Sequence, residues 1–532
     1  MVQKYNYQIF LSKKNISDFR KLYSKKHINS DQKHLFLPNS YTFQTRILDN
    51  PKITMQNSRL IQLLKSLSPS ELREFKDFVN SPLYNKNKKI ILLFDALRKF
   101  YPEFDHPDLS NEKVFYTAFG SGDYDYFNFK NLISDLLALG KEYLTFLQFR
   151  KDRDKSNILL LSELRDRNLD KLFEQTFKSL DNKLESENIT DERFYLKKLE
   201  LTEEILSYRI PKDPDSRFDY LQDELNFFLK YSVIRLLKFY NLMLHEKEQN
   251  NCNFTLEMFE GVMDYIRTKE EDNPTLLIYY NIILLNIEKK EKYFFNLKKL
   301  KEKYFDNLNN GDRFMLFLHL ANYCAYVYNV LGKKDFMKEH FLISKENYER
   351  GTIFLGKVLY PDFLNHVKIA VRVNEFEWAE NFINEFSHLL TEEKQSTLNF
   401  CHGFISYKKG NLETALELFS KTKFQSFIIK VQVKILILQI NYEMGYYVEA
   451  SANIDSFRHY LSRENSMVVN FKESYFDFLR NLNDLIKLKS GEKDINDKAN
   501  LKLLKNNADL IKFNQFGIKI WLREKVDEII KN

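Results

Sequence analysis

The sequence is poor in the residue types that interrupt or cross-link a chain. Its 532 residues include only 13 glycines, 10 prolines and 3 cysteines. No proline follows Pro361, so the C-terminal part of the chain carries no proline break. The few glycines argue against a doubly wound nucleotide-binding fold, which needs glycine at its phosphate-binding turns. Both shortages favour long, continuous helices.

The cysteines and histidines form no pattern typical of a disulfide framework or a metal site. Cys252, Cys324 and Cys401 are odd in number and far apart, which predicts free thiols in a reducing, cytoplasmic environment. The ten histidines are scattered, without an HExxH or HxH pair, so we expect no bound metal. His402 follows Cys401 directly, but neighbouring side chains on a helix point apart, which excludes a simple catalytic pair.

Other signatures of chemistry and of membrane insertion are missing too. No phosphate-binding loop of the form G-x-x-x-x-G-K-[ST] occurs, so we expect no nucleotide cofactor. There is no run of 18 or more apolar residues, and the start of the chain lacks the apolar core of a secretory signal. No group of side chains supports a helical hydrolase or transferase. We therefore expect a cytoplasmic protein that is not an enzyme and has no membrane span.

The excess of positive over negative charge lies in the N-terminal residues. The formal net charge is +7, and residues 1–54 alone hold ten Lys or Arg and three acidic residues. The rest of the chain is therefore neutral overall, and its bulk charge does not support a general phosphate-binding surface. Residues 1–54 have two interpretations: a flexible basic arm, or an upstream stretch that precedes a true translation start at Met55.

Helical patterning begins directly after Met55 and continues to the end. Ser68-Pro69-Ser70-Glu71, for example, predicts a capped helix start with a serine cap and a glutamate three residues later. We divide the chain by its breaks and by the clarity of its repeats. The segments are 1–54, the basic arm; 55–150, an N-terminal helical module; 151–355, helical hairpins that are divergent repeats; 356–464, clear repeats; and 465–532, C-terminal capping helices.

The clearest pattern is a repeat in residues 356–464. Its turn residues are spaced by 36 and 35 positions, and the buried small residue that follows each turn keeps the same spacing. A period in the mid-thirties is typical of helical hairpins that stack and bury their apolar faces on one another. The turn residues are Asn374, Gly410 and Gly445, and the small residues are Ala379, Ala415 and Ala450.

The middle unit, residues 399–419, resembles the tetratricopeptide repeat in its helix–turn–helix pattern. The other units depart from that pattern, since Asn374 replaces the turn glycine, Leu438 occupies a position that the family gives to glycine, and the proline between repeats is missing. The resemblance covers about three repeat lengths. It implies a right-handed α–α superhelix. Residues 55–150 resemble a module of uncharacterised bacterial helical proteins, which implies no activity.

The tetratricopeptide resemblance also implies a binding surface. In that family the first helices of the units line a concave groove that binds peptides, so the resemblance implies a protein or peptide partner here. Lysine and arginine in the groove would attract an acidic segment. The alternative is that these side chains form an ordinary solvated helix face. The six groove candidates are Lys368, Arg372, Phe404, Lys408, Gln439 and Glu443.

Residues 288–304, the basic–aromatic segment, offer a rival function. Seven lysines alternate there with Tyr293, Phe294, Phe295 and Tyr304, which is the composition of a nucleic-acid contact. Three glutamates interrupt the lysines, and the aromatic residues fall at the spacing of a helix core. The sequence therefore predicts an all-α interaction scaffold first, and a nucleic-acid-associated regulator second.

Overall fold

The computed structural model describes residues 55–250, 253–268, 273–354, 356, 358–464, 469–492 and 498–531. Within them the protein is all-α, as predicted: 80% is helical, and the only β-type pairing in this part is an isolated bridge between Val358 and Leu390. The segment 1–54 and Cys252, for which the sequence made predictions, lie outside the described residues. The chain divides into two compact units, and the boundary falls between Thr176 and Phe177.

The N-terminal unit is built around one long central helix, Tyr126–Lys151 (α5). This helix contacts five other helices of the unit. Gly140 on α5 allows Leu63 to approach to 3.0 Å from the place of a Cβ atom, and the hydroxyl of Tyr143 donates to the carbonyl of Glu71 at 2.9 Å. Ser68 begins α2 with the predicted capping box. The helices that begin in this unit are α1 Arg59–Ser66, α2 Pro69–Asn80, α3 Lys88–Leu97, α4 Asn111–Phe119, α5 Tyr126–Lys151, α6 Arg153–Asp166 and α7 Asp170–Glu185.

In the C-terminal unit most contacts join helices that are neighbours or next-but-one neighbours in the chain. This pattern is typical of an array of hairpins. The helices are α8 Glu192–Arg209, α9 Arg217–Asn250, α10 Phe259–Thr268, α11 Pro274–Glu288, α12 Glu291–Tyr304, α13 Asn310–Leu331, α14 Asp335–Glu349, α15 Tyr360–Arg372, α16 Phe376–Phe386, α17 Lys394–Lys408, α18 Leu412–Ser420, α19 Phe427–Glu443, α20 Tyr447–Ser462, α21 Val469–Lys489, α22 Lys498–Leu510 and α23 Ile518–Lys531.

The three repeat turns have one backbone geometry. Asn374, Gly410 and Gly445 have φ values of 65°, 84° and 78°, the left-handed conformation that glycine and asparagine tolerate. At each turn the next backbone N–H donates to the carbonyl five residues before it, as in a Schellman cap. For example, the N–H of Asn411 lies 2.9 Å from the carbonyl oxygen of Ser406. The prediction of left-handed turns at these positions is confirmed.

The predicted small residues mark the places where helices come close. Ala379, Ala415 and Ala450 are fully buried. On α17, a Cβ atom at Gly403 would lie 3.2 Å from the Cβ atom of Leu418 on α18, so glycine sets the separation of these two helices. The repeat period therefore reflects helix packing.

The C-terminal helices share a core with the last repeat. Leu438 on α19 and Ile454 on α20 belong to the same buried cluster as Leu482 on α21 and Leu522 on α23. The last helix begins at Ile518, directly after a 3₁₀ turn, Gln515–Gly517. That turn takes part in the cavity described below.

One helix in the described part of the chain, α13, is long and apolar enough to cross a membrane by length and composition. Of its most apolar 18-residue window, 44% is buried inside the protein, where α13 contacts α11, α12 and α14. A core helix of a soluble protein meets the same criterion. The expectation that the chain has no membrane span therefore stays a prediction.

Candidate binding cavity in the C-terminal unit

A cavity of about 500 Å³ lies within the C-terminal unit. Helices α13, α14 and α15 form one part of its wall. The first turn of α19, helix α21 and the 3₁₀ turn near Phe516 form the rest. Its volume is in the range of sites that bind small organic molecules or a few residues of a peptide.

Two cations, Lys368 and Arg372, face this cavity. They lie four residues apart on α15 and therefore on one face of that helix. Both side chains are half-buried, and the Nζ atom of Lys368 lies 3.2 Å from the Oε1 atom of Gln432, which accepts its hydrogen bond. Neither cation forms an ion pair with any carboxylate among the residues that the structure describes. The charge of these two groups is thus not balanced by an ion pair in the described part of the chain.

The surroundings of Lys368 and Arg372 disfavour the charged forms of both side chains. Burial, together with the nearby charge of Arg372, lowers the pKa of Lys368 to about 7. Burial also lowers the pKa of Arg372, against the attraction of Tyr328. Each side chain is therefore poorly solvated, and an anion between them would be held more strongly than on an open surface.

Lys408 extends this positive region on the next repeat. It is exposed at the end of α17 and lies outside the lining of the cavity. Neighbouring protein atoms nevertheless displace part of the water around its ammonium group, and this desolvation and the charge of Arg372 lower the pKa of Lys408, whereas Glu524 and Glu443 act in the opposite direction. The structure thus brings three of the predicted groove residues, Lys368, Arg372 and Lys408, into one electrostatic neighbourhood.

The other three predicted groove residues have internal roles. Phe404 is only 3% exposed and belongs to the apolar core of the repeats, so it does not line a groove. Gln439 is also buried. Glu443 accepts hydrogen bonds from Trp521 Nε1 at 2.7 Å and from the hydroxyl of Tyr407 at 3.2 Å. The placement of these three residues corrects the prediction, because packing against neighbouring helices covers their faces of α17 and α19.

Other polar groups of the cavity come from residues that the sequence did not identify. The side-chain oxygen of Asn329 is buried and has no hydrogen-bond partner within the described residues, and the backbone N–H of Asn514 donates to the Asn329 carbonyl at 3.2 Å. Burial raises the pKa of Tyr328, and the charge of Arg372 opposes this rise. No spacing in the sequence links these residues, because they lie on α13 and in the C-terminal segment.

The nucleophiles and bases near the cavity are poorly suited to catalysis. Burial lowers the pKa of His340 to about 3 and that of His366 to about 4, so both imidazoles are neutral and weakly basic at neutral pH. Burial raises the pKa of the Cys324 thiol to about 12 and also raises that of Cys401. Both cysteines are thus protonated and unreactive near pH 7.

Several side chains of the basic–aromatic segment make contacts within the protein. Lys298 forms an ion pair with Glu339 at 2.5 Å, and Lys301, which is buried, pairs with Glu346. Phe294 is buried in the helix contact between α12 and the following hairpin. These pairs reduce the positive charge that α12 presents. The prediction of a nucleic-acid contact stays untested.

Three carboxylates elsewhere in the C-terminal unit have the spacing of a metal site. One oxygen of each of Asp191, Glu192 and Asp312 lies within 4.8 Å of the others. The Nζ atom of Lys238, however, lies 2.6 Å from Glu192 and 2.7 Å from Asp312. Asn309 donates to Asp191 at 2.7 Å and to Asp312 at 2.8 Å. The lysine ammonium supplies the positive charge there, and the cluster is an internal ion-pair network.

Comparisons of the chain with protein-family models, with curated proteins and with solved structures gave no match.

Proposed function

We propose that the protein is a non-catalytic interaction scaffold, whose C-terminal unit is a tetratricopeptide-like superhelix that receives an acidic segment of a partner protein. One observation carries the proposal: Lys368 and Arg372 face a cavity of about 500 Å³ without a carboxylate partner among the described residues. A cavity with unbalanced positive charge favours a negatively charged guest. The hairpin turns at Asn374, Gly410 and Gly445 support the superhelix.

The pKa directions of the cavity groups support a binding role over a catalytic one. The neutral histidines His340 and His366 and the protonated thiol of Cys324 give no activated nucleophile with a matching base. We also propose a cytoplasmic location, where buried free thiols such as Cys324 and Cys401 stay reduced.

Affinity purification from the native source tests the proposal. The bait is the full chain, compared with a double variant, Lys368→Glu with Arg372→Glu, and with a control, Lys338→Glu, on an exposed position of α14 outside the cavity. We expect one set of proteins to be captured by the wild type and the control and lost with the double variant. Circular dichroism confirms that each bait is folded.

Nuclease treatment of the lysate distinguishes direct protein binding from binding through nucleic acid. Capture that persists after nuclease treatment supports direct protein binding. Capture that disappears with nuclease, and binding to generic DNA that falls steeply with salt, would favour the nucleic-acid alternative. Retention of the same proteins by the double variant would contradict the cavity as the binding site.

A further inference from the structure

The charge balance of the cavity defines the kind of anion that fits. Lys368 and Arg372 carry two positive charges when both are protonated. Asp362 is the one carboxylate in the described lining, and it has an interaction of its own. It lies six residues before Lys368, which is about 9 Å along the axis of α15 at 1.5 Å per residue. Two adjacent cations are therefore best matched by a group with two negative charges.

The shape of the two cations favours a tetrahedral oxyanion. The planar guanidinium of Arg372 can donate two parallel hydrogen bonds to neighbouring oxygens, and the ammonium of Lys368 supplies a point charge to a third. The unpaired side-chain oxygen of Asn329 accepts hydrogen bonds, so it suits a hydroxyl or N–H of the guest.

The rest of the cavity is suited to an apolar group. Aromatic side chains line it from four helices and from the turn before α23, and they surround a space of about 500 Å³. Such walls gain free energy when they cover an apolar or aromatic body. The phenylalanines of the lining are Phe314, Phe317, Phe336, Phe427, Phe471 and Phe516, and Tyr328 and Tyr475 add two further aromatic rings.

We propose that this cavity binds a phosphate monoester with an apolar or aromatic body, with the phosphate held between Lys368 and Arg372. The inference rests on the proposed function, because it names the chemical group that occupies the same site. The ester is either a phosphorylated side chain of the partner or a free small molecule, and these two sources share the same recognition chemistry.

Proton uptake accompanies this binding. Burial and Arg372 lower the pKa of Lys368 to about 7 in the unoccupied cavity, and a bound dianion raises it again. Among the other titratable groups near Lys368 or Arg372, His340, His366, Cys401 and Tyr328 stay in their neutral forms between pH 7 and 9. Asp362 in the lining and Lys408 beside Arg372 are also titratable. Binding at pH 8 therefore takes up protons from the buffer.

Isothermal titration of the full chain tests the proposal with four probes: phenyl phosphate, phenyl sulfate, benzoate and inorganic phosphate. Phenyl sulfate has the same shape as phenyl phosphate but one negative charge. We expect phenyl phosphate to bind at least tenfold more tightly than each of the other three. At pH 8, titrations in two buffers of different ionisation enthalpy are expected to show proton uptake.

Substitutions of the two cavity cations test whether phenyl phosphate binds at this site. Lys368→Met and Arg372→Met are each expected to weaken phenyl phosphate binding at least tenfold. Lys338→Met and Arg463→Met, which remove exposed charges outside the cavity, are expected to leave it unchanged. Both cavity variants remove a poorly solvated charge, so they fold if the argument is right, and circular dichroism checks this.

The outcomes separate the inference from the proposed function. A short peptide with one phosphotyrosine that binds as tightly as phenyl phosphate supports a partner side chain as the source. Binding of phenyl phosphate alone supports a free small molecule and counts against a protein guest. Equal binding of phenyl phosphate and phenyl sulfate, or no binding of either, overturns the inference, even where protein capture still depends on Lys368 and Arg372.

Discussion

Replacement of Lys368 by methionine should stabilise the unliganded protein. Lys368 is half-buried in the cavity, and its pKa is lowered from 10.5 to about 7. Each factor of ten in a proton equilibrium corresponds to about 1.4 kcal/mol, so below pH 7 the protonated lysine destabilises the folded state by about 5 kcal/mol relative to a solvated one. Methionine has a similar length and no charge, so Lys368→Met removes this penalty.

Two effects reduce the stabilisation that we expect from Lys368→Met. Gln432 loses the hydrogen bond that it accepts from Lys368, which costs about 1 kcal/mol. The methionine side chain also packs imperfectly in a space shaped for lysine, which costs roughly another 1 kcal/mol. We therefore expect Lys368→Met to raise the free energy of unfolding by about 2 to 3 kcal/mol at pH 6.

The effect should depend on pH in a defined window. Between pH 7 and 10.5 the unfolded chain keeps the Lys368 proton while the folded chain releases it, so the wild type gains stability as the pH rises. The advantage of Lys368→Met is therefore largest at pH 6 and nearly gone by pH 9. His340 and His366 stay neutral in this range, so they do not produce the same trend.

Tryptophan fluorescence provides the assay. The chain has two tryptophans, Trp378 and Trp521, and both belong to the C-terminal unit. Urea unfolding followed by their emission therefore reports on the unit that holds the cavity. The control is Lys338→Met, which should show no such pH trend. A Lys368→Met protein that is no more stable than the wild type at pH 6, or that differs from it equally at every pH, would refute the reasoning.

Three further predictions use the same assay or the capture experiment. Lys238→Met leaves buried Asp312 without its cation and leaves Glu192 with Arg235 alone, at 3.7 Å, and should lower the free energy of unfolding by about 3 kcal/mol. Lys421→Met, at a surface pair, should change it by less than about 1 kcal/mol. Gly445→Ala forces a side chain into the left-handed region and should cost about 1 kcal/mol, while Gly261→Ala, inside a helix with open space around it, should add about 0.5 kcal/mol. Lys299→Glu on α12 should leave partner capture intact, and its loss would instead favour the nucleic-acid alternative.

The repeat turns show what local chemistry can predict. Left-handed backbone at Asn374, Gly410 and Gly445 follows from residue types that tolerate it, and the burial of Ala415 follows from the recurrence of a small side chain. Each of these features depends on a few neighbouring residues and on one adjacent helix. A pattern in the sequence is therefore enough to find them.

The sequence alone could not show which side chains of the repeats face a neighbouring helix, for a physical reason. The repeat pattern identifies which helices belong to a unit, but the rotation of each helix about its axis is set by all of its neighbours. Phe404 gains more from burial in the core of the repeats than from exposure, and Glu443 is satisfied by Trp521 from a helix that lies 78 residues later. Lys368 and Arg372 face the cavity and not the apolar core, because charged side chains resist burial in such a core.

The sequence by itself determined the helical class, the period of the repeats and the backbone of their turns, since these follow from glycine, alanine and apolar residues at fixed spacing. Only the tertiary structure decided the cavity. It unites Asn329 on α13 and Lys368 on α15 with Phe516 near the C-terminus, residues that are far apart in the chain. Their meeting, and the loss of solvent that lowers the pKa of Lys368, depend on how whole helices pack.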